Sequence, residues 1–336
     1  MQLNRLSEKN LRSRSDRTTG SRRFGVLSRV ADCLFWMSRY LERAESVARL
    51  LNATFHRDLD LAGTDADDDN RAWLANLSIL QQALPDGVAS PHAIASWLTF
   101  ELSNPGSIIG CVNRARNNAR GIRGTVGPEV WRAINALYWQ LRDADFEARA
   151  RHSPFDYYQA VESGCHLFQG VCDATLPHDE GWQFIALGRS LERADKTLRL
   201  LAVKYAELNR LTDDSLKALE WGGVLKSANA FEAYQRVAGR VEPERVIEFL
   251  LLDTNFPRAV RFSLEGASRA LAAIDGFTDG RSNGRAERQL GRLISELKYT
   301  EPGHLVTGAF TDRLNGLLLQ CIAVGRTIHD QYMLTT

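Results

Sequence analysis

Four carboxylates are the residues of this chain best placed for chemistry, because they recur as two pairs at one spacing. Glu42 and Glu45 stand three apart in one amphipathic stretch, and Glu192 and Asp195 stand three apart in another. Residues at i and i+3 share a helix face, so each pair can turn its oxygens toward one point. Converging, the four would make an all-oxygen Mg²⁺ or Mn²⁺ site. Di-metal bundles of this kind add histidine in Glu-x-x-His. Here the spacing is Glu-x-x-Glu and Glu-x-x-Asp, and the seven histidines form no ligand-like pattern. Arginine offers a second chemistry. Arg39 and Arg43 flank the first pair and Arg189 and Arg193 the second, so buried ion pairs that fix helix register are an alternative to metal. A third stripe, Arg116, Arg120 and Arg123 at i, i+4 and i+7 with Asn113 and Asn117 beside it, suits an anionic ligand or a partner, as do Arg39, Arg189 and Arg258. Three like charges in a row call for counter-charge, internal from Glu42 and Glu45 or external. No resident metal or cofactor is the expectation, with Mg²⁺ or Mn²⁺ at the four carboxylates as the alternative. A phosphate-cradling Gly-rich loop, a G-x-S-x-G elbow and a plausible Cys–His pair are all missing from the sequence.

These residues must be positioned by helices. Pro91, Pro105, Pro128, Pro154, Pro243 and Pro257 each precede a stretch of helical periodicity, several behind a capping Ser or Asn, and none interrupts an apolar run. Alternating strands joined by hairpin turns are lacking. The pattern predicts an all-α multi-helix bundle with helices over 28–60, 71–84, 91–102, 106–124, 128–149, 154–175, 180–208, 214–237, 243–252, 257–275, 284–299 and 304–334. The acidic run at 61–70 reads as a solvated loop, since it lacks the glycine and distal glutamate of a calcium loop.

An internal duplication organises the chain. LFWMSRYLERAESVARLL at 34–51 and FIALGRSLERADKTLRLL at 184–201 share eight identities in eighteen at an offset of 150, including Leu-Glu-Arg-Ala. Pro105-Gly-Ser-Ile aligns with Pro257-Arg-Ala-Val at 152. Two halves of about 28–176 and 177–336, related by a pseudo-twofold axis within a single helical domain 28–336, follow as expectation. In both copies an apolar stripe (Leu34, Met37, Leu41, Ala44; Phe184, Leu187, Leu191, Ala194) runs beside a charged one. That second stripe reads Ser38, Glu42, Glu45, Arg49 in the first copy and Gly188, Glu192, Asp195, Arg199 in the other.

Composition narrows the function. Lys and Arg total 42 against 41 Asp and Glu, which removes the electrostatic footprint of a nucleic-acid binder. No apolar run approaches a membrane span. Five scattered cysteines without a C-x-x-C pair read as reduced core residues of a cytoplasmic protein. Residues 1–27 carry seven cations against two acids and no apolar core, so they read as a flexible basic extension rather than a secretory signal.

At LSRVADCLFWMSRYLERAE the sequence resembles the opening of the bacterial alpha-E family, all-helical proteins named for a Glu-Arg motif. The likeness extends through ARNNARGIRGTVGPEVWRAINALY, GRSLERADKTLRLL and EFLLLDTNFPRAV, and so covers residues 27–330. The motif falls on Glu42-Arg43 and Glu192-Arg193. The resemblance implies a peptide-modifying or amide-forming system, because such proteins are encoded beside, or fused to, circularly permuted ATP-grasp ligases. Transglutaminase-like peptidases and proteasome-like hydrolases are often nearby. The expected role is a non-catalytic helical partner or substrate-presenting component of such a ligase, with the transglutaminase-like peptidase as a second partner. A metal enzyme and a structural scaffold are the alternatives. Trp131, Trp139, Tyr157 and Tyr158 are the aromatic candidates for a partner surface.

Overall fold

The computed structural model describes residues 26–60, 66–84, 90–277, 284–301 and 309–333. Among these it contains fourteen helices and no strand. The long pair α1 (Ser28–Asp60) and α8 (Glu180–Leu208) forms the centre and carries both charged stripes. Each spans over 40 Å at about 1.5 Å per residue, so each can seat several helices along its length. The apolar stripe of α1 is buried from Leu34 to Leu51, and that of α8 from Phe184 to Leu201.

The surrounding helices pack reciprocally. On α1 lie α4 (Ile108–Gly121), α7 (Phe155–Thr175) and α9 (Asp214–Ser227). On α8 lie α12 (Val260–Phe277), α14 (Phe310–Tyr332) and α2 (Ala66–Leu80). The turns that open α4 and α12 share their bonds at an offset of 152. Ser107 N donates to Asn104 O and Ala259 N to Phe256 O, while Cys111 Sγ and Ser263 Oγ each reach back to a proline carbonyl, of Pro105 and Pro257. The central helices touch where Ser38 faces Gly188. Ser38 Oγ donates to Ile185 O at 2.8 Å, and a Cβ on Gly188 would lie 2.4 Å from Phe35 O.

Helix ends follow the local chemistry. Ser90 caps α3 (Pro91–Thr99) ahead of its first-turn proline, Ser107 caps α4, and Asp179 accepts from Gly181 N and Trp182 N at the start of α8. Three expectations need correction. The stretch 128–149 is two helices, α5 (Arg123–Leu141) and α6 (Ala144–Ala150), because Asp143 caps a new start by accepting from Phe146 N; Gly127, at φ 73°, breaks α5 just before Pro128. The stretch 214–237 is α9 and α10 (Phe231–Ala238), parted at Asn229, whose φ of 50° suits the left-handed conformation that asparagine tolerates. The acidic run at 61–70 is not wholly loop, since α2 starts at Ala66. α11 (Pro243–Leu252) and α13 (Arg285–Lys298) complete the set. Residues 1–25 of the basic extension, 61–65 and 302–308 lie outside the described residues.

Four cysteines are buried and Cys33 is partly so, all of them free thiols. Burial pushes Cys111 up to about 11 and Cys321 up to about 12, which leaves both as inert core residues. Tyr157 and Tyr158 are core residues too, each 1% exposed, whereas Trp139 is 59% exposed.

Candidate functional site

The two Glu-Arg motifs interlock across the α1–α8 contact. Arg43 Nε donates to Glu192 Oε1 at 2.7 Å and its Nη2 to Oε2 at 3.1 Å, while Arg39 Nε reaches Oε2 at 2.7 Å. In return Arg193 Nε donates to both oxygens of Glu42 at 3.0 Å, and Gln169 Nε2 adds a bond of 2.7 Å. The arginine of each motif thus binds the glutamate of the other. Neighbouring carboxylates hold arginines of their own helix one turn on. Arg49 Nη2 lies 2.5 Å from Glu45 Oε1, and Arg199 grips Asp195 through Nε and Nη2 at 2.8 and 2.9 Å. Glu45 Oε1 also receives Arg258 Nη2 and stands 2.9 Å from His166 Nε2.

Electrostatics follows from this crowding. Burial alone would raise Glu192, yet Arg43, Arg39 and Lys196 outweigh it and hold the carboxyl well below the usual range. Burial likewise works against Glu45 ionisation, and Arg258, His166 and Arg49 reverse it. Lys196 is the opposite case: desolvation pulls its ammonium below the ordinary lysine value although Glu192 and Asp195 stand 3.7 and 3.8 Å away. The four carboxylates of the metal alternative therefore face guanidinium groups rather than one another. Among the described residues no three His, Cys, Asp or Glu side chains are arranged to hold a metal ion.

The third stripe lies elsewhere. Arg116 Nε donates to Asn135 Oδ1 at 2.8 Å, and its guanidinium sits 4.6 Å from the Tyr138 ring and 5.5 Å from those of Trp131 and Trp139. Arg123 covers Trp131 at 4.0 Å, and Arg120 and Asn117 are exposed. Of the two sources open for its counter-charge, the internal one, Glu42 and Glu45, does not neutralise this stripe, because α4 turns it toward the aromatic face of α5 and those carboxylates already hold Arg193, Arg258 and Arg49. Arg189, a candidate by symmetry with Arg39, instead stands 3.6 Å from Asp173.

A cavity of about 680 Å³ opens beside the interlocked core, between α1, α8, α14 and the turn before α4. Arg39, Arg43, Asp195, Lys196 and Arg199 line its inner wall, with Cys321 and Gly325 from α14. The sequence singled out Arg39, Arg43 and Asp195 but missed Lys196 and the part that α14 plays in the cavity wall. Arg199 was legible as part of the charged stripe, though not as a site residue. The adjacency of Lys196 to Asp195 was the only signal for the lysine.

Fold and site together define an all-helical protein whose two central helices carry interlocked Glu-Arg motifs. A family model described as Alpha-E, a predicted alpha-helical domain with a conserved ER motif, matches residues 26–333. The chain belongs to this family. It is 25% identical over 307 residues to the uncharacterised protein Mb2597 of Mycobacterium bovis and to the uncharacterised proteins MT2643 and Rv2567 of Mycobacterium tuberculosis. Each match covers 85% of this chain and 34% of the relative, so the chain spans about a third of their length. No solved structure matches it. Among the described residues no helix is long and apolar enough to cross a membrane.

Proposed function

We propose that this chain is a non-catalytic, substrate-presenting component of an ATP-grasp amide or peptide ligase system. The observation that carries the reading is the engagement of the motif carboxylates. Glu192 and Glu45 are each held by two or three cations and kept well below the usual carboxylate range, which makes them weak bases. Glu42 accepts from Arg193 and Gln169. The motif therefore orders two long helices and leaves the chemistry to another polypeptide. The much longer mycobacterial relatives, in which a helical region of this kind is one part of a larger chain, support such a division of labour. The ligase would dock on the α4–α5 face, where exposed Trp139 and Arg120 stand beside the Arg116 and Arg123 stacks. Arginine and aromatic side chains dominate interface energetics.

The test is reconstitution with an ATP-grasp ligase from the same organism. Amide formation should require both proteins, and Arg120→Ala with Trp139→Ala should cut it by about tenfold or more while the melting temperature stays unchanged. Full activity of the ligase alone would sink the proposal, as would full activity with the doubly substituted partner. No metal belongs to this reading. Elemental analysis should find divalent ions only below stoichiometry, and EDTA should leave the thermal midpoint where it was. A stoichiometric ion lost together with stability would restore the metal alternative.

A further inference from the structure

The cavity beside α8 exists because one side of the core lacks groups that fill the other. With Cys165 of α7 set on Cys321 of α14, the buried positions 158, 161, 165, 168 and 172 fall on 314, 317, 321, 324 and 328. Glu162, His166, Gln169 and Asp173 then correspond to Leu318, Ile322, Gly325 and His329. At the offset of 152, Arg258 corresponds to Gly106.

On the filled side Arg258 and His166 converge on Glu45, Gln169 on Glu42, and Glu162 on Arg49 at 3.0 Å. Four arginines, Arg49, Arg189, Arg193 and Arg258, meet four carboxylates there, Glu42, Glu45, Glu162 and Asp173. The open side keeps four cations but only two carboxylates. Arg39 and Arg43 share Glu192, and Arg199 holds Asp195. Lys196 stands beyond 3.5 Å from both carboxylates. Arg199 is 8% exposed, and its Nη1 is buried without a hydrogen-bond partner. A buried guanidinium N–H left unpaired costs free energy unless something accepts from it. At the rim Arg326 and Asp330 bring one charge of each sign.

The structure assigns this cavity as a binding site for a small dianionic oxyacid, whose oxygens accept from the Lys196 ammonium and from the guanidinium groups that line the wall. The volume of about 680 Å³ is that of a small-molecule site. The charge excess of two on the open side sets the charge of the ligand. Planar guanidinium groups favour carboxylate or phosphoryl oxygens. Gly106 contributes no side chain where its counterpart Arg258 carries a guanidinium, and the end of the Gln82 side chain reaches the spot. This assignment does not depend on a ligase partner.

Isothermal titration of the full chain with succinate and, separately, with inorganic phosphate at pH 7.5 tests it. Binding of succinate alone identifies a dicarboxylate, binding of phosphate alone a phosphoryl group, and binding of both the shared chemistry. Lys196→Gln should weaken whichever is bound by about tenfold or more, the loss of one charge-assisted hydrogen bond. Gly106→Arg should abolish binding by placing a guanidinium on Asp195, as Arg258 sits on Glu45. The atoms nearest its Cβ belong to the end of the Gln82 side chain, which can swing aside. No heat from either probe up to about 10 mM overturns the assignment, and so does binding that neither variant weakens.

Discussion

Glu192→Ala should destabilise the protein by about 3–5 kcal/mol, the cost of breaking a buried ion pair from one side, and lower the melting temperature by on the order of 10 °C. Glu192 is fully buried, and its removal leaves Arg39, Arg43 and Lys196 crowded together without their shared anion. Arg39→Ala should cost much less. Arg39 is partly open to the cavity, and Glu192 keeps the two-bond grip of Arg43 after its loss. A loss under about 1 kcal/mol for Glu192→Ala, as surface pairs give, would show that the interlock does not hold the helices together.

The same pair of sites sets a pH dependence whose sign can be worked out. Glu192 and Glu45 have folded-state values depressed below those of the unfolded chain. Their stabilisation is therefore complete above about pH 4.3, the unfolded glutamate value, and is lost as pH falls toward the folded values. Glu162 runs the other way, since burial raises it, with Arg49 opposing. It therefore offsets part of the gain at neutral pH. Denaturant midpoints between pH 7 and 3 should fall in the acid limb, and less steeply in Glu192→Ala. Parallel curves would show that Glu192 does not contribute to the acid sensitivity.

How far the sequence led depends on which residue types carry each feature. The starts of α8 and α11 were legible to the residue because the Asp179 cap and Pro243 fall where an unbroken 3.6 period begins. The breaks at Asp143 and Asn229 were not, because the apolar pattern runs on across them and a single capping or left-handed residue makes the interruption. The doubled Glu-Arg motif and its burial at the edge of the core face could be read directly. Its crosswise pairing could not, since a helical wheel fixes a face but not the residue opposite. The Arg116 stripe shows the same limit: spacing placed three charges in a row, while the aromatic residues of α5 that receive two of them come from another element. The cavity was the least legible feature. It is made by what Gly106, Ile322 and Gly325 lack, and a missing side chain leaves no pattern in one copy until it is compared with the other.

Gly188→Ala should destabilise the protein even though alanine is the better helix former. In a free helix interior the exchange gains about 1 kcal/mol, and Gly291 in α13, with no atom within 4 Å of a built Cβ, should show that gain. At Gly188 the new methyl would lie 2.4 Å from the backbone oxygen of Phe35 and 2.5 Å from Ser38 Oγ. Ser38 can rotate, but only at the cost of its bond to Ile185 O. The Phe35 carbonyl cannot move without carrying α1 with it. Overpacking of this kind costs about 1–3 kcal/mol, and the lost hydrogen bond adds roughly 0.5–1.5 kcal/mol. Separation of α1 and α8 also lengthens the Arg39 and Arg43 bonds to Glu192, which lie one and two turns further along. The clash therefore outweighs the propensity. Equilibrium unfolding should show Gly291→Ala above the parent chain and Gly188→Ala below it by about 1–3 kcal/mol. A Gly188→Ala variant as stable as Gly291→Ala would mean that the helices do not approach as closely as the Ser38 contact requires.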